Sequence, residues 1–279
     1  MLQAIIFDYD GTISKTMERQ YKWFQYWWNH EINKEKVKGR DFPYKNFKSF
    51  MEMFNEKINH VDWVQNVYNF LGLSSDLKDL NHPVWVNYRN FCLEHPSNLY
   101  PGIKQAIKEI WEMGRLSKNP DFNTSLRLGI NTNSSWEVVY NDLQKYNLLK
   151  YFDSFVTEET LHKFYGEGDF NAIRKPSNIS LALAMGFLGS EGAFTLHVGD
   201  TLSDLIASKN IIRLNSGHPE NLISVGVTWG YESAVEGKER ARSVLEGGIE
   251  VSGQKRIYFD YVIDNPLELV EIVKKYMKE

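Results

Sequence analysis

The chain has 279 residues, 42% hydrophobic and 24% charged, a balance that suits a globular protein with a substantial core and excludes a disordered one. Its 32 basic and 36 acidic residues leave a net charge of −4, which argues against a nucleic-acid backbone as the main partner. The single cysteine, Cys92, excludes an intramolecular disulfide and a cysteine-rich zinc site. The longest apolar run, Leu181 to Met185, is too short to cross a membrane. The N-terminus lacks the charged start and long apolar stretch of a signal peptide, so a cytoplasmic protein is expected.

In chain order, Leu2 to Phe7 is a short apolar run ended by Asp8 and reads as a buried strand with acid at its C-terminal end. From there to about residue 96 the pattern is helical: Trp23, Tyr26 and Trp27, then Phe47, Phe50, Met51 and Phe54, then Val61, Val64, Val67, Tyr68 and Leu71. Gly39, Pro43, Gly72 and Pro83 divide it into about four helices. Five of the eight tryptophans fall between Trp23 and Trp85, so this segment packs on its own bulky side chains.

After Pro101-Gly102 helices and strands alternate. A helix over Ile103–Met113 is followed by a polar loop, Gly114–Thr124. A strand over Leu126–Asn131, a helix over Trp136–Tyr146 and a strand over Ser154–Thr157 come next. Residues 158–172 read as a loop and a helix starts near Pro176. A strand over Ala193–Val198, a helix over Leu202–Ser208 and a long loop over 210–221 follow. The chain ends with strands near Val225 and at Tyr261–Ile263 and a helix from Pro266; residues 236–256 read as a solvated loop or short helix. Such alternation implies a parallel sheet covered on both faces. The fold class is therefore α/β, a Rossmann-like parallel sheet with an all-helical insertion after strand one. The core is assigned to residues 1–13 and 97–279, the insertion to 14–96.

The densest chemistry lies in Asp8-Tyr9-Asp10-Gly11-Thr12. Residues i and i+2 of an extended chain point the same way, so two carboxylates project together from a strand end, where open α/β sheets bind ligands. Like charges so close call for a cation between them or a shared proton. Gly11 permits the sharp exit turn. In Gly199-Asp200-Thr201-Leu202-Ser203-Asp204, Asp200 ends a second strand and Asp204 follows one helical turn later, either leaning over the same mouth or only capping its helix. Asn131-Thr132-Asn133-Ser134 ends a third strand and suits a phosphate oxygen. Lys175, in Arg174-Lys175-Pro176, could neutralise phosphoryl charge.

These four motifs, in this order, resemble the haloacid dehalogenase-like hydrolases, above all the phosphoglycolate phosphatase-like group with a helical cap after the first strand. The stretch Gly226-Val227-Thr228-Trp229-Gly230-Tyr231 resembles a segment following the second acid motif in that group. The resemblance implies a phosphatase in which Asp8 attacks phosphorus and Asp10 is general acid and base. It implies Mg²⁺ held by Asp8, the Asp10 carbonyl and Asp200, with Asp204 near the metal or orienting Lys175. Thr132, Asn133, Gly11 and Lys175 would meet the phosphoryl oxygens of a small phosphorylated metabolite. Arg40, in the break Lys38-Gly39-Arg40, stands where the resemblance places a specificity loop, or is a solvated basic turn. Lys15, Arg174 and Asn131 depart from the group's usual acid, glycine and apolar residue. His30, His60, His82 and His95 lack metal-ligand spacing. A phosphomutase and a non-catalytic phosphate-binding protein of the same fold remain alternatives, and the oligomeric state is open.

Overall fold

The computed structural model describes residues 2–58, 63–77, 79, 81–116, 126–166, 172–190, 194–211, 222–230, 237–251 and 256–278. It divides into two compact units, one of Met1–Lys15 with Asn98–Glu279 and one of Thr16–Ser97.

The first unit is built on six parallel strands: β1 (Leu2–Phe7), β2 (Arg127–Asn131), β3 (Ser154–Val156), β4 (Phe194–Gly199), β5 (Leu222–Val227) and β6 (Tyr261–Ile263), in the spatial order β3-β2-β1-β4-β5-β6. Alternation along each strand sends successive side chains to opposite faces. Ile5 and Phe7, Leu128 and Ile130, and Leu196 and Val198 pack one face against α5 (Ile103–Leu116), α6 (Trp136–Lys145) and α11 (Pro266–Lys278). Ala4, Ile6 and Val156 pack the other against α7 (Glu158–Tyr165), α8 (Ile179–Phe187) and α9 (Leu202–Lys209). Leu205 of α9 meets Phe259 and Leu245 of α10 (Lys238–Gly247) in a smaller cluster. With both faces covered, strand interiors are apolar runs, and the polar strand ends stand out.

The alternating pattern is observed as expected, with three differences. Helix α5 runs through Gly114 to Leu116, because one glycine costs a helix only about 1 kcal/mol; residues 117–125 lie outside the described residues. The stretch read as a loop at 158–172 contains α7, which a single fully buried side chain, Leu161, holds to the sheet. The helix expected near Pro176 starts at Ile179. Within 236–256, α10 forms because Ala241 and Leu245, one turn apart, reach the core. Residues 212–221, Tyr231 and His60 lie outside the described residues.

The two arms of this unit are stitched where the insertion leaves and returns. Ser14 bridges Leu99, the Lys15 amide donates to the Asn98 carbonyl at 2.8 Å, and the Tyr100 amide donates to the Ile13 carbonyl at 3.1 Å.

The second unit is helical: α1 (Thr16–Asn29), α2 (Phe47–Ile58), α3 (Trp63–Leu71) and α4 (Pro83–Glu94). Its centre is Trp23, stacked on Trp27 with ring centroids 5.2 Å apart and set edge-on to Tyr88. The indole N–H of Trp23 donates to the Tyr68 hydroxyl at 2.6 Å and that of Trp27 to the Ser74 carbonyl at 2.9 Å. Buried Asn33 donates to the Trp27 carbonyl and accepts from the Ser74 amide. His30 and His82 each accept from an amide two residues on, and His95 stacks on Phe91.

Candidate active site

The C-terminal ends of β1, β2 and β4 carry the acid and hydroxyl residues to one edge of the sheet. Phe7 is in register with Ile130 and Val198, so the next residues, Asp8, Asn131 and Gly199, share a level and a face. Beyond the last strand pairs the Asp8 amide still donates to the Val198 carbonyl at 2.8 Å, which fixes the base of the site to β4.

The turn after β1 is closed by its own backbone. The amides of Ile13 and Ser14 both donate to the Tyr9 carbonyl at 3.0 Å, and the Gly11 amide donates to the Ser14 carbonyl at 2.9 Å. Gly11 sits at φ +80°, which only glycine adopts without strain. The alternation that projects Asp8 and Asp10 outward turns Tyr9 inward, where its hydroxyl donates to buried Asp142 of α6 at 2.6 Å. The residue between the two acids is thus an anchor.

Lys175 joins two of the acids. Its ammonium donates to Asp8 Oδ1 and, at 2.9 Å, to Asp204 Oδ1, with all three groups nearly enclosed. Burial pushes the Asp8 carboxyl up to about 7, aided by the Asp204 and Asp10 charges and opposed by Lys175. Burial also works against the Lys175 ammonium, yet Asp204 and Asp8 outweigh it and hold it above the ordinary lysine value. For Asp204 burial is again overcome, chiefly by Lys175, and its carboxyl lies below the usual range. Asp204 therefore does both things the sequence allowed. It leans over the mouth to Lys175, and its Oδ2 accepts from the Thr201 amide and hydroxyl, at 3.2 and 2.8 Å, at the start of α9.

Asp10 is held separately. Its Oδ2 accepts from the Thr132 hydroxyl at 3.1 Å and the Ser134 hydroxyl at 2.6 Å. The Thr132 hydroxyl also accepts from the Ser134 amide, closing the turn after β2. Asn133 is exposed, its side chain reaching the Lys175 carbonyl only at 3.5 Å. The structure thus brings Asp8, Asp10, Thr132, Lys175, Asp200 and Asp204 together at one edge. Arg40, in the helical unit, donates to the Lys36 carbonyl and lies over the Trp28 ring at 5.4 Å. The Lys15 ammonium lies over the Tyr100 ring.

One oxygen from each of Asp8, Asp200 and Asp204 lies within 4.8 Å of the others, and all three residues are buried. A set of hard, anionic oxygens of this kind fits Mg²⁺.

Two groups of residues inside these motifs were given no role by the sequence. Ser134 was legible in principle, since it lies two residues beyond Thr132 in the same turn. The other group is Thr12, Trp229 and Gly230, brought together by the ends of β1 and β5. The Trp229 indole N–H donates to the Thr12 carbonyl at 3.0 Å, and the Thr12 hydroxyl faces Asp200 Oδ1 at 3.4 Å. Asn131 is fully buried with both amide atoms unpartnered among the described residues.

Residues 2–211 match the family model of haloacid dehalogenase-like hydrolases. No curated protein sequence matches the chain. Among solved structures, one from Haemophilus somnus, described as a predicted phosphoglycolate phosphatase, superposes with a TM-score of 0.59 at 16% identity over 97% of both chains. A variant of CbbY from Rhodobacter sphaeroides, in complex with xylulose-1,5-bisphosphate, gives 0.56 at 18% over 96% of both. A Bacillus subtilis protein, YfnB, assigned to the same hydrolases and bound to magnesium, gives 0.56 at 15% over 98% of both. At these identities the likeness is one of fold. Among the described residues no helix is long and apolar enough to cross a membrane.

Proposed function

This chain belongs to the haloacid dehalogenase-like hydrolase family, and we propose that within it the chain is a Mg²⁺-dependent phosphomonoesterase acting on a small phosphorylated metabolite in the cytoplasm. The observation that carries this reading is the division of the two strand-end acids. Asp8 faces the Lys175 ammonium, while Asp10 is held apart by two hydroxyls.

In this reading an Asp8 oxygen bonds to phosphorus as the bond from phosphorus to the substrate's alcohol oxygen breaks, leaving an aspartyl-phosphate. Asp10 gives its proton to the departing oxygen. Asp10, now a carboxylate, takes a proton from the water that next attacks phosphorus. The bond to Asp8 then breaks, inorganic phosphate leaves and both acids return to their starting states. Thr132, Asn133, the Gly11 turn and Lys175 meet the phosphoryl oxygens, and Lys175 offsets their charge. Asp204 acts on Lys175, keeping the ammonium charged and aimed at Asp8. Asp8, the Asp10 carbonyl and Asp200 would hold Mg²⁺, which when bound neutralises charge on the phosphoryl group. The helical unit serves as the family's cap.

The test is phosphate release from a panel of small phosphate esters, with and without Mg²⁺, beside Asp8→Asn. Mg²⁺-dependent release that disappears in Asp8→Asn is expected. Release equal to that of Asp8→Asn for every ester would overturn the hydrolase. Transfer of the phosphoryl group to an added sugar phosphate instead of to water would mark a mutase.

A further inference from the structure

Asp200 lies between two strand ends that touch each other. In the order β1-β4-β5 it follows the middle strand, Thr12 follows β1, and Trp229 and Gly230 follow β5. On one side the Thr12 hydroxyl faces Asp200 Oδ1 at 3.4 Å. On the other the chain at Gly230 passes so close that a Cβ there would fall 2.3 Å from both Asp200 Cβ and Oδ2. Any side chain at 230 would displace the carboxylate. The Trp229 N–H···O=C bond to Thr12, 3.0 Å and buried, ties these two walls together.

The β5 end is itself fixed. The Thr228 amide donates to the Ile263 carbonyl at 3.0 Å and its hydroxyl to Asp264 Oδ1 at 2.6 Å. Asp264 is in turn paired with Arg242 at 2.9 Å and accepts from Lys238 through its carbonyl at 3.1 Å. Trp229 thus reaches Thr12 from a rigid base, with its ring in the main apolar cluster.

We propose that Trp229 is a positioning residue for Asp200. Acting through Thr12, its indole N–H holds the slot in which the carboxylate stands, and so sets the affinity of the site for a divalent cation. The inference rests on the Mg²⁺ reading above. Removing an outer partner of a metal ligand costs about 10–100-fold in metal affinity. Trp229→Phe keeps a buried ring and removes the donor.

The experiment measures Mg²⁺ binding to the full chain by calorimetry, together with the Mg²⁺ dependence of turnover on the best ester of the panel. Trp229→Phe should raise the Mg²⁺ dissociation constant about tenfold and leave KM for the ester at saturating Mg²⁺ unchanged. Thr12→Val should weaken Mg²⁺ in the same way, and the double variant should be no weaker than the weaker single one. A Trp229→Phe protein that is less heat-stable but binds Mg²⁺ as the wild type does would show a packing residue only, and overturns the proposal. Should Trp229→Phe fail to fold, an unchanged Mg²⁺ dissociation constant in Thr12→Val overturns it instead. Wild-type protein that binds no Mg²⁺ sinks the metal reading itself, and this inference with it.

Discussion

The two units use the same device to different ends. In the helical unit indole N–H groups are spent on packing: Trp23 gives its proton to Tyr68 and Trp27 to Ser74, and the rings around them fill the centre. In the α/β unit the Trp229 N–H crosses to the turn that carries Asp10 and borders Asp200. Polar groups are dispersed as locks in the helical unit, whereas in the α/β unit those at the strand ends gather on one edge of the sheet. The lesson is that a buried polar contact has no fixed meaning. What it means depends on whether its partner is a packing oxygen or the backbone beside a reactive acid.

The largest expected effect is at that edge. Asp8→Asn should lower phosphate release by about 10⁴-fold with the fold unchanged by circular dichroism, because Asp8 is the proposed nucleophile and an amide cannot take its place. In the helical unit Trp23→Ala should cost about 3–5 kcal/mol in urea unfolding and leave the Mg²⁺ dissociation constant where it was. Weaker Mg²⁺ binding in that variant would break the contrast between the units.

A pH effect comes next. His197 on β4 is buried against Ser208 of α9, and burial lowers its imidazole from 6.5 to about 4. The unfolded chain therefore binds this proton near 6.5 and the folded chain only near 4. Between those values the unfolded state holds more protons, so the contribution is complete above pH 6.5 and is lost as the pH falls toward 4. The loss is on the order of 3 kcal/mol. His197→Gln should flatten that acid limb of stability, as read by urea unfolding at pH 4.5 and 7.

Ser134→Ala removes the shorter of the two hydroxyl contacts to Asp10. Turnover should fall about tenfold with KM unchanged, which sharpens the claim that polar groups at this edge act on chemistry. The smallest effect is at Asn131, whose buried amide has no partner among the described residues. Asn131→Leu, of nearly the same shape, should raise stability by about 1 kcal/mol and leave turnover unchanged, measured as a higher melting temperature.

What the sequence made legible follows from range. The Asp8–Asp10 pair needs only the period of a strand, and the strand ends are marked by an abrupt change from apolar to acidic residues. The alternation of helices and strands carried the sheet. Helix α7 was missed because Glu158–Tyr165 is largely polar and buries one side chain fully, too little to show a face. The pairing of Lys175 with Asp8 could be anticipated only through the family resemblance, since 167 residues separate them. The stretch that holds Trp229 was legible only as a segment resembling the family, and the contact its indole makes was not. Its partner, Thr12, is 217 residues away.

The stitch between Ser14–Lys15 and Asn98–Leu99 has a consequence for how such a chain can change. The insertion departs and returns through a neck closed by the Lys15–Asn98 and Tyr100–Ile13 hydrogen bonds and the Ser14–Leu99 bridge, so for the core it is a loop whose closure is already made. Loop-closure entropy grows only logarithmically with length. Residues 16–97 can therefore lengthen, shorten or be exchanged for another module at small thermodynamic cost to the sheet, provided the neck is kept. The strand-end acids and the segment free to diversify therefore belong to separate units of the chain, joined covalently at Lys15–Thr16 and Ser97–Asn98.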